Sequence, residues 1–161
     1  MSYDLTFLAK RPDQSWDEAR AEREGAAEDG ARPDREMWER VLPAVRAILG
    51  PVVVFAGPEH FEAGQETTGI QVVLYSGEAS ITVPYWHTGA EARRIADLIY
   101  RVAAAVEEAT GLPGYDPQTE RPVAEAARHP EEAVACFDQV AEAMSEHRAP
   151  KRSLWQRLTR S

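Results

Sequence analysis

The chain has a single cysteine, Cys136, among 161 residues. A lone thiol excludes an internal disulfide and a zinc site built from several cysteines. Long apolar runs are missing too: no stretch of 18 occurs, and Asp4, Lys10, Arg11, Asp13, Asp17 and Glu18 interrupt the first thirty positions. Neither a membrane span nor a signal peptide is therefore expected, and a cytoplasmic location is. There is no phosphate loop, dinucleotide fingerprint, His-Glu-x-x-His pair, nucleophile elbow or calcium loop, and no internal repeat or heptad array.

What is present fits one globular domain with polar appendages, 43% apolar and 28% charged. Charge is unevenly spread. Residues 1–147 hold 13 of the 18 basic residues and all 27 acidic ones, for a formal charge of −14, while 148–161 hold five basic residues and no acid. An acidic body opposes the electrostatic term that dominates nucleic-acid affinity, so such binding is set aside for the body, and a basic protein is the kind of partner its field would attract.

Residues 3–9 alternate, with Tyr3, Leu5, Phe7 and Ala9 on one side and Leu8 on the other, which predicts a central strand. Ser15 can cap a short helix over 15–24, with Asp17 and Glu18 in its first turn. Asp34 caps a second helix striped by Met37, Trp38, Val41, Leu42, Val45, Ile48 and Leu49. Pro43 inside that pattern predicts a kink or a local break near Glu39 to Leu42, or else two shorter helices, and Gly50-Pro51 a stop. Residues 52–55 read as a short buried strand and 58–68 as a surface excursion.

The stretch 69–86 carries the clearest tertiary signal. A two-residue turn at Ser76-Gly77 sets Tyr75 opposite Glu78, Leu74 opposite Ala79, Val72 opposite Ile81 and Ile70 opposite Val83, so the apolar partners share one face. Pro84 predicts a strand at an edge or leaving the sheet. Thr88-Gly89-Ala90-Glu91 has the spacing of a capping box, opening a long helix that runs to Thr110 and ends at Gly111. Residues 114–118 read as a brief extended segment closing on a turn. Short helical pieces follow from Val123 and from Pro130.

These elements predict an α+β fold, a small and mainly antiparallel sheet of about four to five strands with helices packed on one face, plus C-terminal helices. Residues 1–146 are read as a single domain, 119–146 as its helical C-terminal extension and 147–161 as a basic amphipathic tail. The Ser-Tyr-Asp-Leu start, the hairpin closing on Pro84-Tyr85-Trp86, the long helix and the Gly114-Tyr115-Asp116-Pro117-Gln118 segment together resemble a group of small uncharacterised actinobacterial proteins, over residues 2–118. That resemblance implies no activity. Small bacterial α+β proteins of this general shape include immunity proteins, an implication of shape alone.

Candidate chemistry is sparse. His60, Glu62, Glu66 and His87 have no ligand spacing that defines a metal site, and no metal or cofactor is expected. Cys136 beside Phe137 reads as a packed thiol. Tyr85, Trp86 and His87 stand where a strand meets the amino end of a helix, and Tyr115 and Asp116 could join them if the last extended segment returns along the sheet. These five are the candidate binding residues, although aromatic groups at element ends commonly serve packing. In the tail, Leu154, Trp155 and Leu158 are set among Arg152 and Arg157. Docking on the chain's own acidic body or on an acidic protein groove is favoured there over membrane contact, which three large apolar residues would make weak.

No connected nucleophile, base and oxyanion donor can be named, so the leading expectation is an interaction protein, immunity-like, that binds a protein partner through its acidic surface. The alternative is a small-molecule-binding or enzymatic domain using the Tyr85-Trp86-His87 corner.

Overall fold

The computed structural model describes residues 1–26 and 30–148, and the side chains of these up to 146. Its seven strands are β1 (Ser2–Leu8), β2 (Val53–Ala56), β3 (Phe61–Gly64), β4 (Gln71–Tyr75), β5 (Glu78–Pro84), β6 (Gly114–Asp116) and β7 (Arg121–Pro122). They form one sheet in the order β2-β3-β4-β5-β1-β6-β7, antiparallel at every pairing. The helices are α1 (Trp16–Ala26), α2 (Arg35–Leu49), α3 (Gly89–Thr110), α4 (Val123–Ala126) and α5 (Pro130–Arg148). Among the described residues no helix is long and apolar enough to cross a membrane.

The α+β class matches the expectation, but the sheet is larger than four to five strands. The extra strands are β3, inside the stretch read as a surface excursion, and β7, which follows the turn after β6. Both are short and rich in polar, Gly or Pro residues, so their pairing comes from neighbouring strands rather than from their own periodicity. The hairpin register is as the alternation predicts, Val72 opposite Ile81 and Leu74 opposite Ala79, with Gly77 at φ 74° in the turn. Pro84 ends β5 where that strand leaves the sheet.

One face of the sheet carries Tyr3, Leu5, Phe7, Phe61, Ala63, Val72, Leu74, Ala79 and Ile81, and this face packs with α2, α3, α4 and α5 in a single core. Val123, Ala126, Ala133 and Phe137 belong to that core, so the segment read as an extension helps to close it. Helix α1 departs from the one-face arrangement. Side chains alternate along β6, so Tyr115 points away from buried Gly114 and Asp116, and the Trp16 ring stacks on it at 4.8 Å. Arg23 of α1 donates to the Ser76 carbonyl and lies 3.4 Å from Glu78. The helix thus covers the β1-β6 part of the second face, and among the described residues Val53, Phe55 and Tyr75 stay exposed on the β2-β4 part, while Val73 between them is buried.

One helix start, that of α3, differs from its sequence signal, while Ser15 and Asp34 cap α1 and α2 as expected. Thr88 makes no side-chain cap, and Glu91 turns to Arg94 instead, at 2.6 Å. The free amide of Gly89 donates to Asp138 of α5 at 3.0 Å, so a carboxylate from another helix does the capping. The capping box forms at α1: the Glu18 amide donates to the Ser15 hydroxyl at 3.1 Å and the Ser15 amide to the Glu18 carboxylate at 3.4 Å. Helix α2 runs through Pro43 without an interruption, capped by Asp34, which accepts from the Met37 amide. The strand β2, read as buried, is the exposed edge of the sheet. Its run of valines satisfies the pattern of a core strand, and only the strand order decides that no further strand of the described residues lies beyond it.

Candidate functional site

The five residues singled out in the body separate into three environments. Tyr85, His87 and Asp116 lie around one buried cluster, Tyr85 and His87 edge-on to the Phe137 ring and Asp116 joined to it through Tyr3, whereas Trp86 is exposed and Tyr115 is on the opposite face of the sheet. Asp116 is fully buried at the end of β6, where one carboxylate oxygen accepts from the hydroxyls of Tyr3 at 2.6 Å and Tyr100 at 2.7 Å. Its other oxygen accepts from the Gln118 amide and side chain at 3.0 and 2.9 Å and from the Thr119 amide at 3.3 Å. Five donors around one carboxylate replace the water it has lost. Gln118 in turn spans the backbone of Asp4, accepting from its amide and donating to its carbonyl, each at 2.7 Å. The group locks the turn after β6 to β1 and leaves Asp116 no free lone pair directed at a ligand. Burial, with the Asp116 charge alongside, raises the pKa of both Tyr3 and Tyr100 well above that of an exposed phenol, so both remain donors.

Tyr85 reaches the same cluster from the other side, edge-on to Tyr3 at 6.2 Å and to Phe137 at 5.2 Å. Its pKa is pushed up to about 12, chiefly by burial and further by negative charge nearby. The sequence reading required the segment after Gly111 to run back along the sheet. It does so: β6 pairs with Thr6 and Phe7 of β1, and Tyr3 bridges the remaining distance between Asp116 and Tyr85.

His87 and Asp116 are not hydrogen-bonded to each other. The His87 ring is buried, with Nε2 2.8 Å from the Thr68 carbonyl, which as an acceptor requires the proton on Nε2, and Nδ1 3.8 Å from Glu91. Trp86, between these two packed neighbours, is 69% exposed. Its ring rests over Gly69, where a Cβ would come within 2.7 Å of Pro84 and 3.1 Å of the indole and where φ is 75°, so glycine is required. Tyr115 lies through the sheet on Trp16. Cys136, part-buried, has its thiol pKa raised by burial and by Asp116 and Glu132, which keeps it protonated.

Tyr3, Tyr100, Gln118 and Phe137 were not singled out from sequence. The available signal was the phenol within each apolar stripe, Tyr3 on the inward side of β1 and Tyr100 four residues after Ala96 on α3, since a buried hydroxyl needs a partner. The tail residues Arg152, Leu154, Trp155, Arg157 and Leu158 lie outside the described residues. Among those described, no three His, Cys, Asp or Glu side chains converge as metal ligands.

A second region combines exposure with apolar character. Along β2, Val53 is 62% and Phe55 53% exposed. Phe55 of β2, His60 of the β2-β3 turn and Tyr75 of β4 form an aromatic strip, with ring centroids 5.3 and 5.8 Å apart. A shallow cavity of about 390 Å³ adjoins the start of β2, lined by Pro51, Val52, Val53, Gly64, Gln65 and Glu66 among others. From residue 47 to residue 92 there is no lysine or arginine, against Glu59, Glu62, Glu66, Glu78 and Glu91. Glu59 and Glu66 are exposed and Glu62 is half-buried, so negative charge rims the apolar edge.

No protein-family model, curated protein or solved structure matches the chain.

Proposed function

We propose that the chain is a cytoplasmic, non-enzymatic interaction protein, immunity-like in general character, that binds a basic protein through its acidic surface. The observation carrying this reading is the coincidence of an exposed apolar sheet edge with a 46-residue stretch that contributes acids and no lysine or arginine. Acidic rims speed encounter with a basic partner and reject acidic ones, while apolar groups supply the contact itself. The titratable groups that suggested chemistry already have structural work: Asp116 holds a turn, Tyr85 packs on Phe137, and His87 binds a backbone carbonyl. The alternative, a small-molecule site at the Tyr85-Trp86-His87 corner, has only the exposed Trp86 ring in its favour.

The test is capture by the full-length protein from its native cytoplasm, followed by reconstitution with each purified candidate by calorimetry at two salt concentrations. A basic protein that binds stoichiometrically and weakens as salt rises is the expected result. Reconstitution of only acidic or salt-insensitive partners, or of none, would overturn the reading.

A further inference from the structure

We infer that the outer edge of β2 is the docking site for an extended, basic segment of a partner protein, which adds to the sheet as an eighth, antiparallel strand. The inference rests on the functional reading above and specifies its surface and mode.

Backbone geometry supports strand addition. β2 ends the sheet, so one row of its amides and carbonyls has no partner strand among the described residues. The Gly57 amide donates to the His60 carbonyl at 3.0 Å, and in an antiparallel pair the bonded residues alternate. Counting back from Gly57, Phe55 and Val53 direct their amides and carbonyls toward β3, and Val54 and Ala56 direct theirs outward. Sheet edges are usually blunted by lysine, by proline, by a bulge or by a covering element. Residues 52–56, Val-Val-Val-Phe-Ala, have none of the first two, and their pairing with β3 runs from Val53 to Ala56 without a bulge. Pro51 and Pro58 stand outside the strand and limit an added strand to about five residues, the usual length of one.

Side chains and charge choose the occupant. Val54 lies on the face of buried Ala63, and Val53 and Phe55 lie on the open face, so an added strand meets apolar groups on both sides. Glu62 pairs opposite Phe55, Glu66 lines the cavity with Val53, and Glu59 follows in the turn after β2, while a cation at this end of the sheet, Arg35, lies over the Phe61 ring on the opposite, core face. Pairing with a second copy of β2 would bring two such acidic sets together with no cation from residues 47–92 between them, which costs energy, whereas a strand that alternates apolar and basic residues gains from both features.

The experiment uses the full chain, isotope-labelled, and two synthetic nine-residue peptides, one alternating valine with lysine and the other valine with glutamate. The lysine peptide is expected to slow amide exchange at Val54 and Ala56. Its affinity should fall about tenfold or more in Val54→Pro, which removes an outward amide at a position where an edge tolerates proline, and in the Glu59→Lys, Glu66→Lys double variant. The glutamate peptide should bind about tenfold more weakly or worse. Far-UV circular dichroism and melting show that each variant is folded, and the double variant, altered only at exposed positions, keeps the test usable if Val54→Pro is not.

Absence of protection at Val54 and Ala56, or unchanged affinity in both variants, would overturn the inference. So would concentration-dependent self-association abolished by Val54→Pro, which would assign the edge to a second copy. Protection in the free chain that is lost on Trp155→Ser and Leu158→Ser would assign it to the chain's own C-terminal residues, with the same consequence. If the basic protein found by capture binds Val54→Pro as well as the unaltered chain, the functional reading stands and this one fails.

Discussion

Replacing Asp116 by alanine should be among the most damaging single changes in the protein, although the residue lies in a three-residue strand near the margin of the sheet. The substitution removes a carboxylate that accepts from five donors, two of them phenolic. Tyr3 and Tyr100 are 3.0 Å apart and can satisfy each other once, which leaves one buried hydroxyl proton without an acceptor, at a cost of about 1–3 kcal/mol. The Gln118 and Thr119 amides lose a charged acceptor, a loss of about 1.5–3 kcal/mol, partly offset because an ionised group no longer has to be buried. The net expectation is about 3 kcal/mol, a large share of the ~5–15 kcal/mol that holds a domain folded. Asp116→Asn keeps the shape and the acceptor oxygen for the turn, and its new N–H₂ faces hydroxyls that can rotate to accept, so it should lose only about 1 kcal/mol. Urea denaturation followed by tryptophan fluorescence and circular dichroism, at neutral pH, measures both. A cost for Asp116→Ala under about 1 kcal/mol, or equal costs for the two variants, would refute the assignment of the carboxylate as the acceptor that organises this turn.

The same cluster predicts an alkaline limit. Tyr3, Tyr85 and Tyr100 all have raised values in the folded chain, so the neutral phenols stabilise it fully below the unfolded value near pH 10 and progressively less as pH rises toward their folded values, about 12 for Tyr85. Melting temperature against pH should therefore decline above about pH 10, and less steeply in Tyr100→Phe than in the unaltered protein. At the start of α3, Thr88→Ala should leave stability unchanged within ~0.5 kcal/mol, while Asp138→Ala should lose about 1 kcal/mol, and a reversed order in thermal melts would restore the local capping box. Gly114→Ala should be destabilising by about 1–3 kcal/mol in the same melts, because a Cβ there would meet the Phe7 ring at 2.6 Å and Val123 at 2.8 Å.

Local rules carried much of this fold. Period-two alternation placed β1 and the β4-β5 hairpin with its register, because a one-residue slip would turn Leu74, Val72 and Ile81 into solvent. Period-3.6 stripes placed α2, α3 and α5, and glycine at Gly50 and Gly111 marked two helix ends, both with positive φ. What adjacency in sequence could not supply was everything that depends on which elements become neighbours. Thr88 and Glu91 have the spacing of a reciprocal cap, yet Asp138, 49 residues away, takes the amide. Val52 to Phe55 have the composition of a core strand, and the exposure of Val53, Val54 and Phe55 follows from a position in the strand order that no feature of those residues encodes. In the candidate site, Tyr85 and Asp116 are joined through Tyr3, contributed by the first strand of the chain. His87 packs edge-on to Phe137 beside them but gives its hydrogen bond to Thr68, because a buried imidazole takes whatever acceptor the fold brings within reach. The sequence by itself determined most of the elements and the run from 47 to 92 that holds acids and no lysine or arginine. Only the tertiary structure decided which carboxylate was enclosed and which edge was left open, since both are properties of packing between distant segments.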